Sequence, residues 1–286
     1  MAKVVRWCGY GIAFILGLLV VGAIAVWLLS SAKLNAKTQS HPEQLVKPTA
    51  SQLADSSRQL RVFRCLDCHG SDLRGAVLVD DPKIARLYAP NLTLIAASAS
   101  DQQLARAIRQ GIGTDGRALV AMPSATFSRL SDAETATLIT AIRALPPGGQ
   151  ATPKREIGPL GRIGLVSGEY RTQPEEIAEY ARKMPLDAGA EFSAGRHMAA
   201  SNCAECHGAD LTGGEIEPGV TAPDLIIAGA YDLPAFTRLM RTGVPPGGRK
   251  LKLMTSIAKD DFSHMTDGEI GALYGYLQAR AQRLSR

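Results

Sequence analysis

Two pentapeptides constrain this chain more than anything else in it: Cys65-Leu66-Asp67-Cys68-His69 and Cys203-Ala204-Glu205-Cys206-His207. A C-x-x-C pair by itself fits a redox disulfide or half of a zinc site. Zinc needs four ligands, whereas each pentapeptide offers three with no further cysteine nearby. A disulfide gives no reason for the same histidine to follow twice. The complete pattern is that of covalent c-type haem attachment. Two thiols add across the vinyl groups of the porphyrin, and the adjacent imidazole takes the proximal side of the iron. The remaining cysteine, Cys8, reads as a small buried apolar residue at the start of an apolar run.

The pentapeptides belong to a longer repeat. Ala89-Pro90-Asn91-Leu92 returns as Ala222-Pro223-Asp224-Leu225, Arg109-Gln110-Gly111 as Arg241-Thr242-Gly243, and Gly116-Arg117 as Gly248-Arg249. Ser131-x-x-Glu134 and Thr266-x-x-Glu269 are matching capping boxes, each opening a final helix. The chain thus reads as two copies of one unit, over residues 58–146 and 191–286. The repeat also chooses the distal ligands. Met122 is the single methionine of the first unit, and its partner in the second is Met254. Met240 and Met265 align with Ile108 and Leu130 and read as packing residues. His264, His197 and His41 read as solvated, satisfied and linker histidines. Arg117 and Arg249, shortly before each Met, read either as partners of a haem propionate or as solvated arginines.

Helices are expected to run into each C-x-x-C-H, near 101–110 and 232–241, and near 132–145 and 267–282, with glycine-rich loops after each motif. The fold class is therefore read as all-α. Residues 33–57 read as a tether. Residues 147–190, which follow Pro146 and open with Pro147-Gly148-Gly149, read as an inter-domain linker with a short polar helix from Pro174 to Met184.

Ahead of the tether, Trp7 to Ala32 carries no charge and is long enough to cross a bilayer. Trp7, Tyr10 and Trp27 sit near its ends, where amphipathic rings favour the headgroups. Lys3 and Arg6 precede it and are expected to stay cytoplasmic. Residues 1–32 thus read as a single transmembrane anchor or a cleaved signal, and the run exceeds the usual signal length. Either way the remainder is exported, which places the haem-binding units in the periplasm, on the inner membrane. Residues 1–50 hold five Lys/Arg against one acid, while residues 151–286 hold 16 against 17. No basic domain of the kind nucleic acid requires is present. The chain has only 6 Phe, 2 Trp and 7 Tyr, so bound porphyrin is expected to supply core surface that aromatics do not.

Each unit resembles a class I cytochrome c domain. The run from Ala89 to Leu145, with Pro-Asn-Leu-Thr, Arg-Gln-Gly, Asp-Gly-Arg, Met-Pro and Leu-Ser-Asp-x-Glu, is similar to the multihaem cytochrome subunits of membrane-bound bacterial alcohol and aldehyde dehydrogenases. The resemblance implies two covalently bound haem c groups. Cys65, Cys68, Cys203 and Cys206 would attach them, His69 and His207 would be proximal ligands, and Met122 and Met254 distal ones. It also implies that the carbonyls of Pro90 and Pro223 hold the imidazoles. Those dehydrogenase subunits carry three haem motifs where this chain has two. A six-coordinate His/Met iron has no open position, which favours electron transfer over catalysis. The expected donor is a dehydrogenase or quinol-oxidising complex, and the acceptor an oxidase or soluble cytochrome. The alternative is a dihaem peroxidase, which needs an iron that can open a site and acid/base groups beside it.

Overall fold

The structure, a computed structural model, describes residues 2–217 and 219–285. Its first helix, α1 (Ala2–Asn35), is long and apolar enough from Val5 onward to cross a membrane. Along most of its length it presents Leu, Ile, Val and Cys8 outward. Cys8 is therefore not buried by the protein. The chain begins to cover the helix only near its end, where Ser30 and Leu34 are buried.

Residues 36–49 do not hang free. Thr38 donates its amide to the Gly116 carbonyl, His41 exchanges hydrogen bonds with the Gln110 side chain, and the buried Glu43 side chain meets Arg109 at 3.2 Å. The stretch read as a tether is a strap across the first unit. Helix α2 (Ala50–Val62) already starts inside it, opened by a capping box on Thr49.

The first unit continues with α3 (Cys65–His69), β1 (Ala76–Asp81), β2 (Ala85–Ala89), α4 (Leu92–Ser98), α5 (Asp101–Gln110), α6 (Ser124–Phe127) and α7 (Asp132–Arg143). Strands β1 and β2 pair antiparallel, with Ala76 opposite Ala89 and Asp81 opposite Ala85. They correct the all-α expectation: the described residues are mostly helical with two small sheets. In the first, β-branched and aromatic residues (Val77, Val79, Tyr88) flank a turn that Asp81 closes by accepting the Lys83 amide at 2.8 Å.

Residues 147–190 also fold. They supply β3 (Glu156–Ile157), which extends the sheet beside β2, then α8 (Pro159–Ser167) and α9 (Gln173–Tyr180). Helix α9 matches the expected polar helix, packs against α6 and inserts Gln173 beside Gly111. The proline and glycine spacing concealed that this connection folds onto both units: β3 and Gln173 join the first, while Tyr180 and Ala188 pack on the core of the second.

The second unit comprises α10 (Ser193–Met198), a π-helical turn over Ala199–Cys203, α11 (Ala204–His207), a hairpin of β4 (Gly214–Glu217) and β5 (Val220–Ala222), α12 (Leu233–Thr242), α13 (Leu253–Asp260) and α14 (Asp267–Leu284). Two cores result. Leu60, Leu73, Leu104, Leu138 and Ile142 centre the first; Phe236, Phe262, Met265, Leu273 and Tyr276 centre the second. Met240 and Met265 lie in the second core, 2% and 1% exposed, as packing residues do.

Candidate cofactor sites and the contact between them

In both units the motif histidine is fixed by the same three features. His69 Nδ1 lies 2.9 Å from the Pro90 carbonyl oxygen, and His207 Nδ1 lies 2.8 Å from that of Pro223. A carbonyl can only accept, so Nδ1 carries the proton and Nε2 is left as the nitrogen able to ligate. The carbonyl of each histidine accepts the amide of a glycine six residues on, Gly75 to His69 and Gly213 to His207, both at 2.8 Å. Each glycine has positive φ, and a Cβ there would meet the carbonyl oxygen of Ala89 at 2.7 Å or Ala222 at 2.5 Å. Only glycine lets the loop return this close to the strand that delivers the proline. Finally, Leu73 and Leu211, both buried and both at positive φ, accept the amides of Leu92 and Leu225 at 2.8 and 3.0 Å.

Burial holds both imidazoles below the ordinary histidine range, opposed by the hydrogen bond to each proline carbonyl. Burial, reinforced by the second thiol of each pair, pushes Cys65 and Cys203 up to about 12.

In the first unit Cys65, Cys68, His69 and Met122 line one cavity of about 330 Å³, within the size range of small-molecule sites. Its walls are mostly apolar, among them Leu92, Ile95, Leu104 and Ile108. Two thiols, an imidazole and a thioether converging on an apolar chamber form the donor set that haem c requires. In the second unit Met254 stands at the start of α13, half-buried against the core, while Met265 is buried within it.

The arginines fall differently from expectation. Arg117 is tied to Asp115 at 2.6 Å and donates to Asn35 at 3.1 Å, and Arg249 is exposed. The guanidinium groups lining the first cavity belong to Arg64 and Arg155. Arg155 sits in the inter-unit segment and donates to the Ala118 and Leu34 carbonyls, both at 2.9 Å. Nothing in its local sequence marks it, because its position depends on how residues 147–190 fold back.

The two motifs lie against each other. Arg64, held at φ 59°, an uncommon conformation for a non-glycine residue, donates to Glu205 at 2.9 Å and to Asp67 at 3.3 Å. Glu205 is the middle residue of the second pentapeptide, yet it lines the first unit's cavity. Around this contact Arg58 forks onto Glu269 at 2.7 and 2.9 Å and also grips Asp55, and Val62 enters the second unit's core. His197 meets Glu134 at 2.9 Å, and Arg129 donates to the carbonyls of Ala209, Tyr180 and Lys183. The hydrogen bond to Glu134 raises His197 above its ordinary range; Glu134 is lowered by His197 although burial opposes this.

Against known families, the model described as cytochrome c matches residues 192–281. The C-terminal unit is accordingly a cytochrome c domain, which implies haem c and points to electron-transfer chemistry. No curated protein matches the chain significantly.

Proposed function

We propose that this chain is a membrane-tethered periplasmic dihaem electron-transfer protein, with α1 as an uncleaved inner-membrane anchor. The observation that carries this reading is the recurrence of the histidine–proline–glycine geometry at both pentapeptides, joined in the first unit to a cavity that Met122 shares with the motif. Cys65 with Cys68, and Cys203 with Cys206, would attach haem c; His69 and His207 would take the proximal positions, and Met122 and Met254 the distal ones. Bound haem c supplies a one-electron iron couple.

The protein's own residues orient and enclose that couple. The Pro90 and Pro223 carbonyls hold each imidazole in one tautomer and one rotation, which fixes the ligand field. The largely apolar walls around the first site would limit water and, together with thioether ligation, would raise the potential of a haem held there. With His69 and Met122, and His207 and Met254, as ligands, no coordination position would be open, so the protein would pass charge without binding substrate. The Arg64–Glu205 contact brings the motifs together, which favours passage of the electron between units within one molecule. A dehydrogenase or quinol-oxidising complex would supply the electrons, and an oxidase or soluble cytochrome would take them.

The test is the mass of the denatured, purified chain together with a redox titration. Two porphyrin masses and two low-spin couples are expected. One porphyrin mass, retained on replacing both Cys65 and Cys68 with Ala, would reduce the protein to a monohaem carrier. Ready binding of carbon monoxide to both reduced centres would overturn the distal-ligand assignment.

A further inference from the structure

We infer that α8 is a second membrane-contacting element, an interfacial helix that seats Leu160, Ile163 and Val166 in the lipid boundary beside the exit of α1. This rests on the reading of α1 as an uncleaved span.

The helix has two opposed faces. Gly161, Gly164 and Leu165 are buried toward the protein, and a Cβ on Gly161 would meet the Ile84 carbonyl oxygen at 2.2 Å. On the other side Leu160, Ile163 and Val166 are 53%, 51% and 40% exposed. At 100° per residue these three occupy one arc, roughly opposite the buried one. Three large apolar side chains in a row on nine residues is an unusual surface to leave in water, since apolar area gains by leaving it.

The neighbours of α8 say what covers that face. The helix docks on the last turns of α1: Arg162 donates to the hydroxyls of Ser30 and Ser31 at 2.8 and 2.9 Å, and its guanidinium lies 5.9 Å from the Trp27 ring centroid. Lys33 in turn donates to the Leu165 carbonyl at 3.2 Å. Trp27 lies roughly 30 Å along α1 from Trp7, at ~1.5 Å per residue, and this matches the hydrocarbon thickness of a bilayer. With Trp7 at one boundary, Trp27 stands at the other, and α8 lies level with it. Arg162 and the exposed Lys154 line one cavity with Ser31 and Leu34 at this end of α1, level with the phosphate headgroups of a bilayer, while Lys33 is paired with Glu175 at 2.9 Å. An apolar arc, flanking cations and direct continuity with the span select a lipid surface over a protein partner.

The experiment uses the full-length holoprotein carrying Cys8→Ser, reconstituted into vesicles of phosphatidylethanolamine and phosphatidylglycerol. A nitroxide is placed by Ile163→Cys, with Val21→Cys in the span and Leu233→Cys on the second unit as references. Collisional relaxation by oxygen and by a water-soluble nickel chelate is then compared. The expected result is a label at 163 favouring oxygen several-fold more than the label at 233, on the side of the span reference. A label at 163 matching 233, or one shielded from both reagents as in a protein contact, overturns the proposal. Free access of the nickel chelate to the label at 21 would instead overturn the anchor reading itself.

Discussion

The residue after each motif's proline is held in two different ways. In the first unit it is Asn91, whose amide donates to the Thr152 hydroxyl at 2.7 Å and whose side chain donates to the carbonyls of Gly148 and Gln150. In the second unit it is Asp224, which accepts from Arg280 of the unit's own last helix at 2.7 Å. The Arg280 side chain is 2% exposed and also reaches the Leu211 carbonyl at 3.2 Å. One unit borrows its support from the connecting segment, and the other carries it internally. The same contrast recurs in the sheets, where β3 is added from outside the repeat beside β2 while β4 and β5 stand as a plain hairpin. A repeated core thus tolerates divergent scaffolding provided the loop that positions the proline carbonyl stays fixed. The family model matches the self-supported unit.

The largest effect that would probe this comparison comes from the thioethers. Replacing Met122 with Ala should lower the potential of the first couple alone, by a sizeable part of the ~0.8 V over which axial ligands tune haem. Replacing Met254 should do the same for the second couple, while Met265→Ala should leave both potentials in place and cost stability instead. Potentiometric titration of the visible spectrum separates these outcomes; a potential that responds to Met265 would break the correspondence between the units.

Next in size is Arg280→Leu. Removing one partner of a buried pair costs about 3–5 kcal/mol, and Asp224 is one-third exposed, so the lower end is expected. Chemical denaturation should show the second unit melting early and the first unmoved. Thr152→Val is the counterpart for the borrowed support. It strips one hydrogen bond from the Asn91 amide and should cost the first unit about 1–3 kcal/mol. Equal loss in both units from either variant would show that they fold as one body.

The smallest effect is the pH dependence of the His197–Glu134 pair between the units. His197 is raised, so its contribution is full below the ordinary histidine range and fades as pH climbs through the raised value. Glu134 is lowered, so its contribution is full above the ordinary carboxylate range and fades as pH drops through the lowered value. Docking of the units should therefore be firmest between those limits, by no more than about 1 kcal/mol for such a partly exposed pair. Histidine NMR titration, compared with Glu134→Gln, measures it.

Much of this was legible in the chain. The capping boxes at Ser131 and Thr266 are present as written, and α5, α7, α12 and α14 fall close to where their apolar periodicity puts them. Those elements are set by local chemistry. What stayed hidden depends on distant partners. The strands at 76–89 are short apolar runs behind a loop marked by Gly70 and Gly75 and are defined only by pairing with each other, and residues 147–157 look like a linker until Glu156 and Ile157 find Arg86 and Ala85. Arg64 and Glu205 are ordinary charges in sequence and become a junction only when the two pentapeptides meet.

The strap over residues 36–49 has one more consequence. Because Thr38, His41 and Glu43 are tied down to the first unit, no slack cord separates that unit from the end of α1. With the span in a bilayer, the first motif cannot roam in search of a collision; it is mounted at a set height over the lipid. On the proposed electron-transfer function, a membrane-embedded donor would find a fixed landing point there, while a diffusing acceptor would meet the outer half.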